Sequence, residues 1–274
     1  MLVGFAMSVA AGAAVLHEPL PGTEDEGLFP FVFGQIEPAS VADMSGYLDA
    51  PAGKHGFVHA VGEKFFAGGR EIAFNGVNLT GPACVPGHAD ADITADRLAR
   101  HGFNCVRLHF VDCTGYSNFR MPAKVSAGLL SDDYRTGMKF DARNLDRFDY
   151  FIAALVRRGI YVDINLRVGL TLDGRDGFPN GPSLNRGVCA IDPQLVEMEK
   201  RYAKMLLEHV NPYTERAYAN DPGVAIIEIR NESALPGHWS GGLVDDLAEP
   251  WKTQFKIRWN EWLEAKYGTR EALA

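Results

Sequence analysis

The chain is 274 residues long, 46% hydrophobic and 23% charged, the composition of a globular protein able to bury one large core, which excludes a disordered or fibrous chain. Its formal charge of −8 is uneven, because seven of the 35 acidic residues and none of the 27 basic ones fall in the first 53 positions, leaving a nearly neutral body. A neutral body without a run of Lys or Arg lacks the counterion-releasing surface that nucleic acid requires, so that partner class is set aside.

Residues 1–16 include a small-residue-rich apolar stretch, Leu2 to Leu16, too short to span a bilayer. It looks like the hydrophobic part of a secretory signal, although no basic residue precedes it, and it sets the expectation of a secreted or extracytoplasmic protein; a disordered tail is the alternative. Residues 17–53 are acidic and rich in Pro and Gly, which reads as a linker or an extended segment laid over the surface, with no core of its own. The folded part is expected over 54–274. It opens with a short hairpin between His55 and Arg70, where Phe57, Val58, Phe65 and Phe66 are broken by Gly62 and by Gly68-Gly69.

Strand and helix then alternate. Ile72 to Leu79 reads as a strand, Asp92 to His101 as a helix stopped by Gly102, and Asn104 to Phe110 as a second strand. Leu145, Phe148, Ile152, Leu155 and Val156 fall at helical spacing before Gly159, and Ile160 to Leu166 follows as a third strand. Asp192-Pro193 supplies an N-cap and a first-turn proline for a helix whose apolar face is Leu195, Met198, Tyr202, Met205 and Leu206. Val224 to Ile229 is a fourth strand. A last helix from about Pro250 to Tyr267 is expected to bury Trp251, Phe255, Trp259, Trp262 and Leu263. Successive β-α units with continuous apolar strands predict a parallel sheet covered by helices. The stretches 111–143 and 167–191 are long, and long loops at the carboxyl ends of strands are where α/β barrels build active sites.

The polar residues at those strand ends are the candidates: Asn78 after the first strand, Arg107 and His109 on the second, and Asn231-Glu232 after the fourth. A carboxyl at a barrel mouth can donate a proton to a glycosidic oxygen when burial or a second carboxylate raises its pKa, and Asn and Arg can hold sugar hydroxyls or orient a carboxylate. Trp239, in the loop beyond, offers a ring on which a sugar can stack. Each has a bland alternative. Arg107 can be a satisfied interior ion-pair partner, His109 a structural histidine and Trp239 a loop-packing residue, while Glu228 can pair with Arg230 two residues on. Asn260-Glu261 repeats the dipeptide off the apolar stripe of the last helix, so the dipeptide alone is no signal. Cys84, Cys105, Cys113 and Cys189 have neither CxxC spacing nor a paired His motif; Cys84 and Cys113 both follow strands and can be imagined bridged, but free buried thiols are the commoner state. No phosphate-cradling glycine run and no metal-ligand spacing occurs, so no cofactor and no metal are expected.

The strings FNGVNLTGPACVP, HGFNCVRLHFVD, RRGIYVDINL and HVNPYTERAYANDPGVAIIEIRNESAL, in this order, resemble the cellulase-like glycoside hydrolases of clan A, close to family 5. The resemblance implies a (β/α)8 TIM barrel, retaining hydrolysis of a β-linked polysaccharide or oligosaccharide, Glu232 as general acid/base, and Asn231, Arg107 and His109 as sugar contacts. Three positions depart from the pattern: Phe110 and Arg167 stand where histidines are common, and Arg230 where a small amide residue is expected. A complete barrel takes roughly 250 residues, whereas only the first four β-α units are read here. The nucleophilic Glu, which in the family follows the seventh strand, then has no counterpart. Retention needs two carboxyl groups about 5 Å apart, so the expectation is an amino-terminal half barrel, inactive or nearly so, whose exposed edges invite homodimerisation. A non-catalytic carbohydrate-binding half barrel is the alternative.

Overall fold

The computed structural model describes residues 36–114, 128–131, 139–170 and 192–273. The signal-like stretch, Cys189 and most of the two long strand-end loops lie outside the described residues. Residues Ile36–Ala274 form one compact unit.

The predicted hairpin is a three-stranded antiparallel ribbon, β1 (His59–Val61), β2 (Lys64–Ala67) and β3 (Arg70–Ile72). Gly68 and Gly69, with φ of 55° and 78°, make the two-residue turn between β2 and β3, a conformation that needs positive φ at both positions. The single strand expected over Ile72 to Leu79 is divided, because Ile72 pairs with Phe65 in this ribbon while Gly76–Thr80 forms β4 of a different sheet. Asn104 holds the break: its side-chain amide donates to the Ala73 carbonyl at 2.8 Å and its oxygen accepts from the Asn75 N–H at 2.7 Å.

The second sheet is parallel and runs β4, β5 (Cys105–His109), β6 (Tyr161–Asn165), β9 (Val224–Glu228) in space. Helices α1 (His88–Arg100), α2 (Ala142–Arg157) and α3 (Pro193–Leu207) make the crossovers. One face of the sheet is apolar: Val106, Leu108, Val162 and Ile164 are fully buried, in one core with Ala91, Ala95 and Ala99 of α1, Phe148, Phe151, Ile152 and Leu155 of α2, and Leu195, Tyr202 and Leu206 of α3. Asp141 caps α2 through the Asn144 N–H, and Asp192 caps α3 through the N–H groups of Gln194 and Leu195, as the sequence around Pro193 predicts. Gly159 turns α2 into β6 at φ 82°, and a Cβ there would meet the Ala50 nitrogen at 3.1 Å, so the turn needs glycine twice over.

Between α3 and β9 the chain makes a small hairpin, β7 (Val210–Asn211) with β8 (Arg216–Ala217), that the sequence analysis did not foresee. The buried Asp149 of α2 holds it, accepting from the Tyr218 hydroxyl, bonding the His209 ring at 2.8 Å and, through its main-chain oxygen, accepting from Asn211 Nδ2 at 2.9 Å.

Two expectations are corrected. The stretch up to Gly53 contributes to the core after all, since Ala52 is buried and its N–H donates to the Val156 carbonyl, ending α2. Helix α5 (Trp251–Tyr267), which follows the short α4 (Leu235–Ser240), buries only Trp251, while Trp259 and Trp262 are 46% and 47% exposed. Trp251 is drawn in by the Asp192 carboxylate, which accepts from its indole N–H at 2.9 Å, whereas residues 256–262 of the later turns are exposed. Cys84, Cys105 and Cys113 are buried thiols outside any disulfide, the commoner state expected for them, and burial pushes the thiols of Cys84 and Cys105 up to about 12 and about 11.

Candidate active site

Parallel register lines up alternate residues on the sheet's second face, and toward the carboxyl ends most of these are polar. Asn78 stands beside Arg107, and Arg107 beside Asp163; one step toward the carboxyl ends come Thr80 beside His109 and Asn165 beside Glu228. This is where an α/β sheet with long strand-end loops offers a site.

Arg107 organises the face. Its Nε and Nη2 donate to the two carboxylate oxygens of Glu228 at 2.7 and 2.9 Å, while Nη1 donates to Asn78 Oδ1 at 2.9 Å and Nη2 also to Asn231 Oδ1 at 3.0 Å. Three of the candidates, Asn78, Arg107 and Asn231, are thus brought together by one guanidinium. The grip of Arg107 holds the Glu228 carboxyl below its ordinary range, against the opposing effect of its partial burial. The pairing of Glu228 with Arg230 allowed by their spacing does not occur. Strand β9 ends at Glu228, the Asn231 N–H turns to the Arg167 carbonyl at 3.0 Å, and Arg230 Nε donates to Glu199 of α3 at 2.9 Å.

Glu232 follows at φ 48°, a left-handed conformation that a residue with a side chain adopts at a cost of about 1 kcal/mol or more. It is exposed. Its charge is felt by both Arg107 and His109, which ties it electrostatically to the cluster. His109 is buried against the edge of Phe110, with ring centroids 4.8 Å apart, and its Nδ1 has no hydrogen-bond partner among the described residues. Desolvation, then the Arg107 charge, holds its pKa below the usual histidine value, so the ring is neutral at pH 7. Trp239 lies elsewhere: 65% exposed on α4, it lines a cleft of about 590 Å³ with Phe255 and Trp259 of α5, and no residue of the Arg107 cluster lines that cleft.

Asp163, absent from the strand-end candidates, joins this face from the middle of β6 and not from a strand end. Burial first, then the Glu228 charge, raises its carboxyl to about 6, and its Oδ1 has no hydrogen-bond partner among the described residues. A visible signal existed, since Asp163 and Asn165 are the polar members of an otherwise apolar strand at period two. Asp112 and Glu199 were also missed. The fully buried Asp112 carboxylate accepts from the N–H groups of Val168, Gly169 and Leu170 at 2.8 to 2.9 Å and lies 3.5 Å from Arg167 Nη1. Glu199 receives Arg167 Nε on one oxygen at 2.9 Å and Arg230 on the other. Two of the positions that depart from the resembled pattern, Arg167 and Arg230, therefore meet on one carboxylate. Among the described residues no group of three His, Cys, Asp or Glu is placed to hold a metal ion, and no helix is long and apolar enough to cross a membrane.

No protein-family model matches the chain, and no curated protein matches it. Among solved structures it is similar to a glycoside hydrolase family 5 mannosidase from Rhizomucor miehei, at 16% identity and a TM-score of 0.48 over 69% of this chain and 52% of that one. It is also similar to an endo-1,4-beta-mannanase from the same organism, at 18% identity and 0.44 over 64% of this chain and 48% of that one. An endo-beta-1,4-mannanase from Thermotoga petrophila is similar at 19% identity and 0.42, over 65% of this chain and 38% of that one. The chain thus spans about half the length of these structures or less.

Proposed function

We propose that this chain carries the acid/base part of a retaining O-glycosyl hydrolase acting on a β-linked polysaccharide or oligosaccharide, on the amino-terminal half of a TIM barrel. The observation that carries the reading is the convergence of Asn78, Arg107 and Asn231 through one guanidinium at the strand ends, with Glu232 next in the chain. In this reading Glu232 donates its proton to the glycosidic oxygen as the C–O bond breaks, and later takes a proton from the water that releases the sugar. Asn231, Asn78, Arg107 and His109 hold sugar hydroxyls and orient Glu232.

Retention also needs a nucleophilic carboxylate. Of the other carboxylates on this face among the described residues, Glu228 is committed to Arg107 and Asp163 is partly buried. The polypeptide by itself is therefore proposed to turn over little or nothing. We also propose that a second copy covers the open β9 edge, where Ile227 and Ile229 are 39% and 73% exposed.

The test supplies the missing nucleophile from solution. Release of the phenol from an aryl β-glycoside is measured with and without azide, in wild type and Glu232→Ala, using a poor leaving group that needs protonation. Azide-dependent release that requires Glu232 supports the hydrolase. Binding of β-linked oligosaccharides with no release under any of these conditions would instead make the chain a carbohydrate-binding module.

A further inference from the structure

The segment that follows β6 is gripped from both sides. On one side stands the fully buried Asp112, just beyond the end of β5. Its Oδ2 accepts from the N–H groups of Val168 at 2.8 Å and Leu170 at 2.9 Å, and its Oδ1 accepts from the Gly169 N–H at 2.8 Å. Successive N–H groups turned on one point make a concavity that suits an anion, and this one is filled by the protein's own carboxylate. Gly169 lies so close to the β5 end that a Cβ there would meet the Phe110 ring at 2.8 Å. On the other side the segment holds the end of β9: the Leu166 N–H donates to the Glu228 carbonyl at 2.8 Å, and the Arg167 carbonyl accepts from the Asn231 N–H at 3.0 Å.

The two grips meet on one peptide group. The Arg167 carbonyl and the Val168 N–H belong to the same planar unit, so the bond that fixes the N–H also fixes the direction of the C=O. A peptide whose N–H donates to a charged acceptor is also polarised, which strengthens its carbonyl as an acceptor. We propose that Asp112 is a positioning residue for Asn231: through the Arg167–Val168 peptide its carboxylate sets the path by which the chain leaves β9, and so brings the Asn231 side chain to Arg107. Asp112 touches no reacting group. Its bearing on turnover rests on the proposed role of Glu232, next in the chain after Asn231, but the relay is measurable without any turnover.

The experiment is amide hydrogen exchange of Val168, Leu170 and Asn231, with Tyr161 and Val162 at the start of β6 as references, in wild type and Asp112→Ala. Asp112→Ala is expected to speed exchange at Val168, Leu170 and Asn231 roughly tenfold while the two references change by less than about twofold. Formate, a carboxylate small enough for the vacated space, is expected to restore slow exchange at Asn231, and the neutral formamide is not. A folded Asp112→Ala protein with unchanged exchange at Asn231 would overturn the proposal. So would Asn231 exchange that rises only in step with Tyr161 and Val162, which is the mark of a general stabiliser, or that formate leaves fast. Should Asp112→Ala not fold, the wild type decides by NMR couplings across hydrogen bonds, from the Val168 nitrogen to the Asp112 carboxyl carbon and from the Asn231 nitrogen to the Arg167 carbonyl carbon. Both are expected, and the absence of either would overturn the relay. Absence of glycosidase activity would sink the functional reading and leave these measurements standing.

Discussion

Arg107 and Glu228 form a bidentate pair across an intervening strand: β6 lies between β5 and β9, and the guanidinium reaches over it to both carboxylate oxygens. The pair crosses 121 positions of sequence and ties the second strand of the parallel sheet to the fourth. The same guanidinium also binds Asn78 and Asn231, so one side chain holds residues from both edges of the sheet.

Removing that side chain is expected to be costly. Arg107→Ala leaves Glu228 and the two asparagines without their shared donor, and a loss of about 2 kcal/mol is expected for a pair that is only partly shielded from water. Arg107→Lys keeps the charge but not the fork, and roughly half of that loss should remain. Urea unfolding at pH 7 measures both, and a midpoint for Arg107→Ala indistinguishable from wild type would contradict the central place given to this residue.

Asp163 makes a prediction with a definite sign. Its carboxyl is raised to about 6 in the folded protein from an ordinary value of 3.8, so the native state holds the proton more tightly than the unfolded chain. Stability linked to this group is therefore greatest below about pH 4 and is lost as the pH rises through about 6. Asp163→Asn removes the penalty. It should stabilise the protein by about 1 kcal/mol at pH 7, after allowing for screening of a partly exposed group, and have little effect near pH 4. Melting temperatures of the two proteins from pH 4 to pH 8 should diverge through the window, and parallel curves would remove Asp163 from the electrostatics of the site.

The open edge of β9 and the later turns of α5 bear on association. Ile227, Ile229, Trp259 and Trp262 are exposed apolar side chains, and a strand edge with apolar flanks is a template for pairing. Sedimentation equilibrium is expected to show a concentration-dependent dimer, and Ile229→Lys, which puts a charge at the edge without touching the Arg107 cluster, should shift it at least tenfold toward monomer. A wild-type protein that stays monomeric at high concentration would exclude the second copy as the cover for this edge.

The alternation of strand and helix was legible in the sequence because each element carries its own punctuation: Gly102 and Gly159 at the turns into strands, Asp192-Pro193 at the start of α3, and apolar residues at helical spacing along α2 and α3. Burial on α5 was not legible, because periodicity shows which face of a helix is apolar and not whether anything packs against it. Trp251 and Trp259 look alike in sequence, and the Asp192 carboxylate and burial in the core set Trp251 apart. The strand-end candidates Asn78, Arg107 and Asn231 were found because polar residues ending apolar strands have few local reasons to be there.

By itself the sequence determined the class of fold, a parallel sheet with covering helices, and the strand ends at which chemistry-bearing residues gather. Local rules suffice for that, since helical and strand periods and the turn glycines act over a few residues. Only the tertiary structure decided the pairing: Glu228 to Arg107 rather than to Arg230, Arg230 and Arg167 together on Glu199, and Asp163 buried among charges. The reason is that hydrogen bonds between charged groups depend on distances across strands, and residues 121 positions apart come within 3 Å of each other only once the sheet has formed.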